Sequence, residues 1–113
     1  MQIWPEHLDR HIAPELDRSA LVVIDSQVDF VDGGASVIPG TTQVLPAIAG
    51  LLQGYREAGR PIVHVVRLFQ GQDVDLSRRS LIGAGAPVVR PGSPGSQIAP
   101  ELRPAGAPAL DSR

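Results

Sequence analysis

The hydrophobic pattern is anchored by an unbroken aliphatic run, Leu21 to Ile24, that stops on a carboxylate at Asp25. Three of its four residues are β-branched, as favours a parallel strand buried on both faces. A second run, Ile62 to Val66, has the same character and ends at Arg67. Between them Val44, Ile48, Leu51, Leu52 and Tyr55 fall three and four apart, the spacing of one apolar helical stripe. Thr41 or Thr42 can cap this helix and Pro46 is tolerated in its first turn, so the helix is predicted to run to about Ala58. Gly59 suits the left-handed position after the last turn, and Pro61 prevents continuation. Strand, helix and strand in this order predict two parallel strands joined by a right-handed crossover. Asp25 and Arg67 then emerge side by side at the carboxyl ends of the strands, the edge at which open α/β sheets bind ligands.

The flanking segments are less regular. Residues 1–19, with Trp4, Pro5 and Pro14, read as an N-terminal arm with one short turn, Trp4 packing on the sheet's flank or on a partner subunit. Residues 31–40 are a loop by their glycines, and no phosphate-binding glycine pattern is present. His64, between two valines of the second strand, reads as a packed, hydrogen-bonded core residue ahead of a catalytic one. A short helix is predicted over 77–84, with Arg78 and Arg79 outward and Leu81 and Ile82 inward. From Gly83 onward Gly and Pro are frequent and the apolar period is lost, which predicts either a wrapping loop or an unsupported tail.

Length and composition narrow the function classes. At 113 residues the chain holds one domain at most. Its net charge is −2 and its ten basic residues, all arginine, are scattered, so no basic footprint for nucleic acid or an anionic membrane exists. No apolar run approaches the roughly 18 residues that span a bilayer, and the first residues do not form a secretory signal. A cytoplasmic protein acting on small molecules is expected. Cysteine and lysine are both absent, which removes disulfides, thiolate metal sites and a cysteine nucleophile.

Asp25 carries two readings from position alone: a turn former at a strand end, or a half-shielded carboxylate that exchanges protons with a ligand. The surrounding residues add a resemblance. V-I-D-S-Q-V-D-F, with Asp25, Gln27, Asp29 and Phe30 in place, resembles the opening motif of the isochorismatase-like (cysteine hydrolase) superfamily. The likeness continues through P-G-T-T-Q-V-L-P-A-I-A-G-L-L, A-G-R-P-I-V-H-V-V-R, D-V-D-L-S-R-R and A-P-V-V-R-P-G-S-P-G to E-L-R-P, covering about residues 20 to 113.

The resemblance implies an α/β fold, a Rossmann-like three-layer parallel sheet with flanking helices, here incomplete at the first two strands and the crossover helix. It implies Asp25 as the catalytic acid/base. Arg67 and Phe30 are candidate substrate-binding residues, Phe30 as an apolar wall. The family's Lys and Cys lie on later strands, and this chain has neither, so residues 20–113 are expected to be the N-terminal part of a single hydrolase domain. Nicotinamidase-like members carry an Asp-x-His metal motif, whereas Asp73-Val74-Asp75 has no such histidine, so no metal or other cofactor is expected. The implied activity is hydrolysis of a small-molecule vinyl ether or amide. The alternative is a catalytically inactive fragment, or a partner subunit that docks on a complete family member. A two-stranded parallel sheet is hard to stabilise alone, so a homo-oligomer is expected.

Overall fold

The computed structural model describes residues 9, 11–70, 76–83, 85 and 87–103. Trp4, Asp73 and Asp75 lie outside these residues. A 3₁₀ turn at Leu16–Arg18 leads into strand β1, Leu21–Ile24, followed by a second 3₁₀ turn at Val28–Phe30. Helix α1, Thr41–Glu57, then crosses to strand β2, Ile62–Val65, and a short helix α2 occupies Leu76–Gly83. β1 and β2 pair in parallel, with Leu21 opposite Ile62 and Ile24 opposite Val65. The expected α/β arrangement of two parallel strands and a crossover helix is therefore present.

α1 ends as its sequence dictates. Gly59 adopts φ of 66°, the Gly59 N–H bonds to the Arg56 carbonyl at 3.0 Å and the Arg60 N–H to the Tyr55 carbonyl at 2.9 Å. That pair of bonds satisfies two carbonyls that the last turn would otherwise leave open. The other end differs from expectation. The N-cap is Gly40 in the left-handed region, not a threonine, and Thr42 instead accepts a bond from the Asp32 N–H at 2.9 Å. Pro46 sits in the second turn on an exposed position, where water can serve the carbonyl that its missing N–H leaves open.

The buried stripe of α1 is rotated from the predicted one. Leu45, Leu52 and Tyr55 are buried, with Ile48 and Ala49 packed beside them, whereas Val44 is half exposed. What sets the rotation is the segment 94–102, which returns to pack Ile98, Ala99 and Leu102 against the helix and against Val23. Arg56 reinforces this contact by donating to the Leu102 carbonyl at 3.1 Å. The Gly- and Pro-rich region is thus a wrapping loop over its described part, with 3₁₀ turns at Pro94–Ser96 and Pro100–Leu102. A second cluster of Phe30, Phe69, Val88 and Val89 is roofed by Ile82 of α2. On α2 the predicted faces are partly exchanged: Leu81 is exposed, while Arg78 folds inward over the Phe30 ring.

The strands are not buried on both faces as the aliphatic runs predicted. Leu21, Val23, Ile62 and His64 face α1, but Val22, Ile24, Val63 and Val65 keep 51, 61, 49 and 44% of their surface exposed. α2 sits on the second cluster and leaves this sheet face without a helical layer among the described residues. His64 is half buried, and burial together with the nearby Arg56 charge lowers its pKa from the ordinary imidazole value.

Two outcomes follow. Leu52 is fully buried in the main cluster, so Leu52→Ala is expected to cost about 2–5 kcal/mol in urea unfolding, and a cost under about 0.5 kcal/mol would show the helix face to be wrong. For His64, a folded pKa below the unfolded one favours the neutral ring in the native state, so its contribution is complete above the unfolded value and is lost as pH falls through the folded one. The urea midpoint should therefore drop between about pH 7 and about pH 5, and His64→Gln should reduce that drop.

Candidate active site

The carboxyl edge of the sheet is where the chain concentrates polar groups. Asp25 continues the ladder by donating its N–H to the Val65 carbonyl at 2.9 Å. Its φ is 57°, a left-handed conformation that aspartate adopts more readily than most residues. The chain leaves the strand at this point. Arg67, two residues beyond β2, places Nη2 3.1 Å from Asp25 Oδ2. The expected neighbours therefore meet. Their side chains remain 46 and 28% exposed, and ion pairs of that exposure contribute little to stability, about 0–1 kcal/mol. The pair marks which groups meet at this edge more than it stabilises the fold. The Arg67 guanidinium also lies 5.8 Å from the centre of the Phe69 ring.

Phe30, predicted as an apolar wall, is closed inside the second cluster with the Arg78 guanidinium 5.3 Å from its ring centre. Arg78 is tethered there by donating Nε–H to Ser36 Oγ at 3.0 Å. Phe30 therefore supports the loop after β1 and offers a ligand no free face.

Two buried polar residues of the same motif went unassigned in the sequence reading. Gln27 has no exposed surface, and its carboxamide makes three bonds. Oε1 accepts from the Arg67 N–H at 2.7 Å, and Nε2 donates to the carbonyls of Arg67 and Ser96, both at 2.8 Å. The Gln27 backbone also forms an antiparallel bridge with Ile98, flanked by bonds from the Val28 N–H to the Gln97 carbonyl and from the Ala99 N–H to the Ser26 carbonyl. Asp29 is also buried. Its carboxylate accepts from the Val89 N–H at 2.7 Å and the Ala35 N–H at 3.4 Å. Val89 has φ of 39°, a strained value for a β-branched residue, and the short bond to Asp29 helps to hold it there. Gly95 lies so close that a Cβ would fall on the Asp29 carboxylate, and a Cβ at Gly34 would strike the Val28 and Asp29 carbonyls. No strand period could have found them, because the chain turns at Asp25 and enters a 3₁₀ turn, and Ser26, Gln27, Asp29 and Phe30 are all buried; the available signal was polar residues crowded directly after a buried strand.

Among the described residues no three His, Asp or Glu side chains gather as metal ligands. A groove of about 570 Å³ lined by Leu16, Asp17, Tyr55, Glu57 and Arg60 adjoins the amino ends of the strands, so it is separate from the Asp25 edge.

Comparison with known proteins gives this geometry a context. A family model for the isochorismatase domain matches residues 19–113. The chain is similar to an isochorismatase family protein of Desulfovibrio vulgaris, with 38% identity and a TM-score of 0.66 over 77% of this chain and 47% of that one. It is also similar to a pyrazinamidase of Pyrococcus horikoshii solved in complex with zinc, with 26% identity and a TM-score of 0.55 over 71% of this chain and 44% of that one. A 64-residue stretch is 38% identical to a protein of Arabidopsis thaliana named "Probable inactive nicotinamidase", covering 54% of this chain and 33% of the relative. The chain thus spans a third of the length of that relative and about half that of the two structures.

Removing the Asp29 carboxylate leaves the Val89 N–H unpaired in the interior, which costs about 1–3 kcal/mol for a bond to a charged group. Asp29→Ala should lower the urea midpoint and accelerate Val89 amide exchange, while unchanged Val89 exchange would show that the contact does not hold the loop.

Proposed function

The chain belongs to the isochorismatase family, and on that premise we propose that it is a hydrolase of a small-molecule vinyl ether or amide, with Asp25 as its acid/base residue. The observation that supports this most is the pairing of Asp25 with Arg67 at the carboxyl edge of a parallel sheet, on side chains left open to solvent. Asp25 would deliver a proton to the terminal carbon of a vinyl ether, water would add to the ether carbon, and the resulting hemiketal would break to a carbonyl product and an alcohol. No thiol takes part in that sequence. Arg67 would supply positive charge beside the carboxylate to a substrate oxygen. Amide hydrolysis in this family is implied to need Lys and Cys, neither of which the chain contains. Residues 20–113 would form the N-terminal part of a single hydrolase domain, cytoplasmic and assembled with further copies; no helix among the described residues is long and apolar enough to cross a membrane.

A second reading has an observation of its own. The open face of Val22, Ile24, Val63 and Val65 is apolar and lies on a parallel sheet, a structure ordinarily covered on both sides. A catalytically inactive chain that docks this face on a complete family member would account for it, and the inactive name of the Arabidopsis relative is consistent with that role.

The two readings part on Asp25. In a form of the protein that turns over a vinyl ether, Asp25→Asn should lower the rate by about 10² to 10⁴ and leave the melting temperature nearly unchanged. An unchanged rate with early unfolding would make Asp25 a structural turn residue. The chain should also show no amidase activity and bind no zinc after dialysis; stoichiometric zinc by metal analysis would contradict the site as drawn.

A further inference from the structure

We propose that Gln27 is the positioning residue of this site: its carboxamide fixes where Arg67 stands relative to Asp25. The inference rests on the reading of Asp25 as the acid/base residue, and its physical basis is the end of the β ladder. The last backbone bond between the strands beside the site runs from the Asp25 N–H to the Val65 carbonyl. Asp25 then turns to φ of 57° and its chain departs, so β1 offers no further rung for Arg67. The Gln27 side chain takes the place of that rung. One carboxamide accepts the Arg67 N–H at 2.7 Å and donates to the Arg67 carbonyl at 2.8 Å, which fixes the residue's backbone in both directions. The second proton of Nε2 goes to the Ser96 carbonyl at 2.8 Å and ties the clamp to the wrapping loop.

Gln27 is fully buried, so it acts through Arg67 and not on a ligand. The chemistry of the clamp is selective. Only a carboxamide presents an acceptor and two donors on one planar group; a glutamate would accept the N–H but set a carboxylate against two carbonyls, and a methionine would satisfy none of the three. The Asp25–Arg67 pair is too exposed to hold its own geometry firmly. Removing the clamp should therefore release the Arg67 guanidinium even though neither ion-pair partner is altered.

The test is arginine-selective modification by phenylglyoxal, mapped to Arg67 by mass spectrometry, in the 113-residue chain and its Gln27→Met, Gln27→Glu and Asp25→Asn variants. Amide exchange at Leu21 and Arg60 is followed alongside, since both N–H groups are bonded away from the site. The expected result is Arg67 modification in Gln27→Met that rises to match Asp25→Asn, with Leu21 and Arg60 protection unchanged. Wild-type modification in a folded Gln27→Met chain would overturn the proposal. So would a loss of protection at Leu21 and Arg60 in step with the modification, because the role would then be general packing. If neither Gln27 variant folds, amide exchange in the wild type decides: slow exchange of both the Gln27 carboxamide and the Arg67 N–H supports the clamp, and free exchange of the carboxamide overturns it. The readout needs no turnover, so an inactive chain would count against the hydrolase reading without touching this result.

Discussion

One buried carboxamide ties together the parts of this chain that neither sheet nor helix connects. A sheet of two short strands stops pairing as soon as β1 turns away at Asp25, and everything beyond that point must be held by other means. Gln27 supplies them, joining the chain three residues after β1 to Arg67, two residues beyond β2, and to the loop at Ser96 in three bonds. Unmade, those bonds would leave the buried Ser96 carbonyl without its partner, at a cost of about 1–3 kcal/mol, and the part-buried N–H and carbonyl of Arg67 at a smaller one. The backbone bridge of Gln27 to Ile98 makes the same connection a second time and brings Ile98, Ala99 and Leu102 onto α1.

Asp29 does related work one step further along. Its carboxylate spans the loop after β1 and the strained turn at Val89, so the second cluster of Phe30, Phe69, Val88 and Val89 closes around a fixed frame. The motif that begins at Asp25 therefore divides by direction. Gln27 and Asp29 point inward and build the edge; Asp25 stays partly open on it, facing Arg67. A family resemblance carried by these residues is consequently as much a statement about architecture as about chemistry.

Local order was legible where a short-range pattern governs it. The aliphatic runs located β1 and β2, the apolar period located α1, and Gly59 before Pro61 marked its end. From those three elements alone Asp25 and Arg67 could be placed together. What the pattern misjudged depends on distant parts of the chain. Whether Val44 or Leu45 turns inward is decided by Ile98, Ala99 and Leu102, more than fifty residues away. Arg78 turns inward because the Phe30 ring and Ser36 receive it. The aliphatic strands implied cover on both faces, but the described residues supply it on one, and the matched part of the chain covers only 47, 44 and 33% of the relatives compared. The Gly- and Pro-rich region has no period to read because it is shaped by polar anchors, those of Gln27 and Asp29, and not by a stripe.

The central claim is this division of labour within one short motif, and comparative thermal unfolding of Asp25→Asn, Gln27→Ala and Asp29→Ala tests it most directly. The account predicts a melting temperature close to the wild-type value for Asp25→Asn and clearly lower values for the other two. It would be contradicted if Asp25→Asn destabilised the chain as much as either, or if Gln27→Ala left it unchanged.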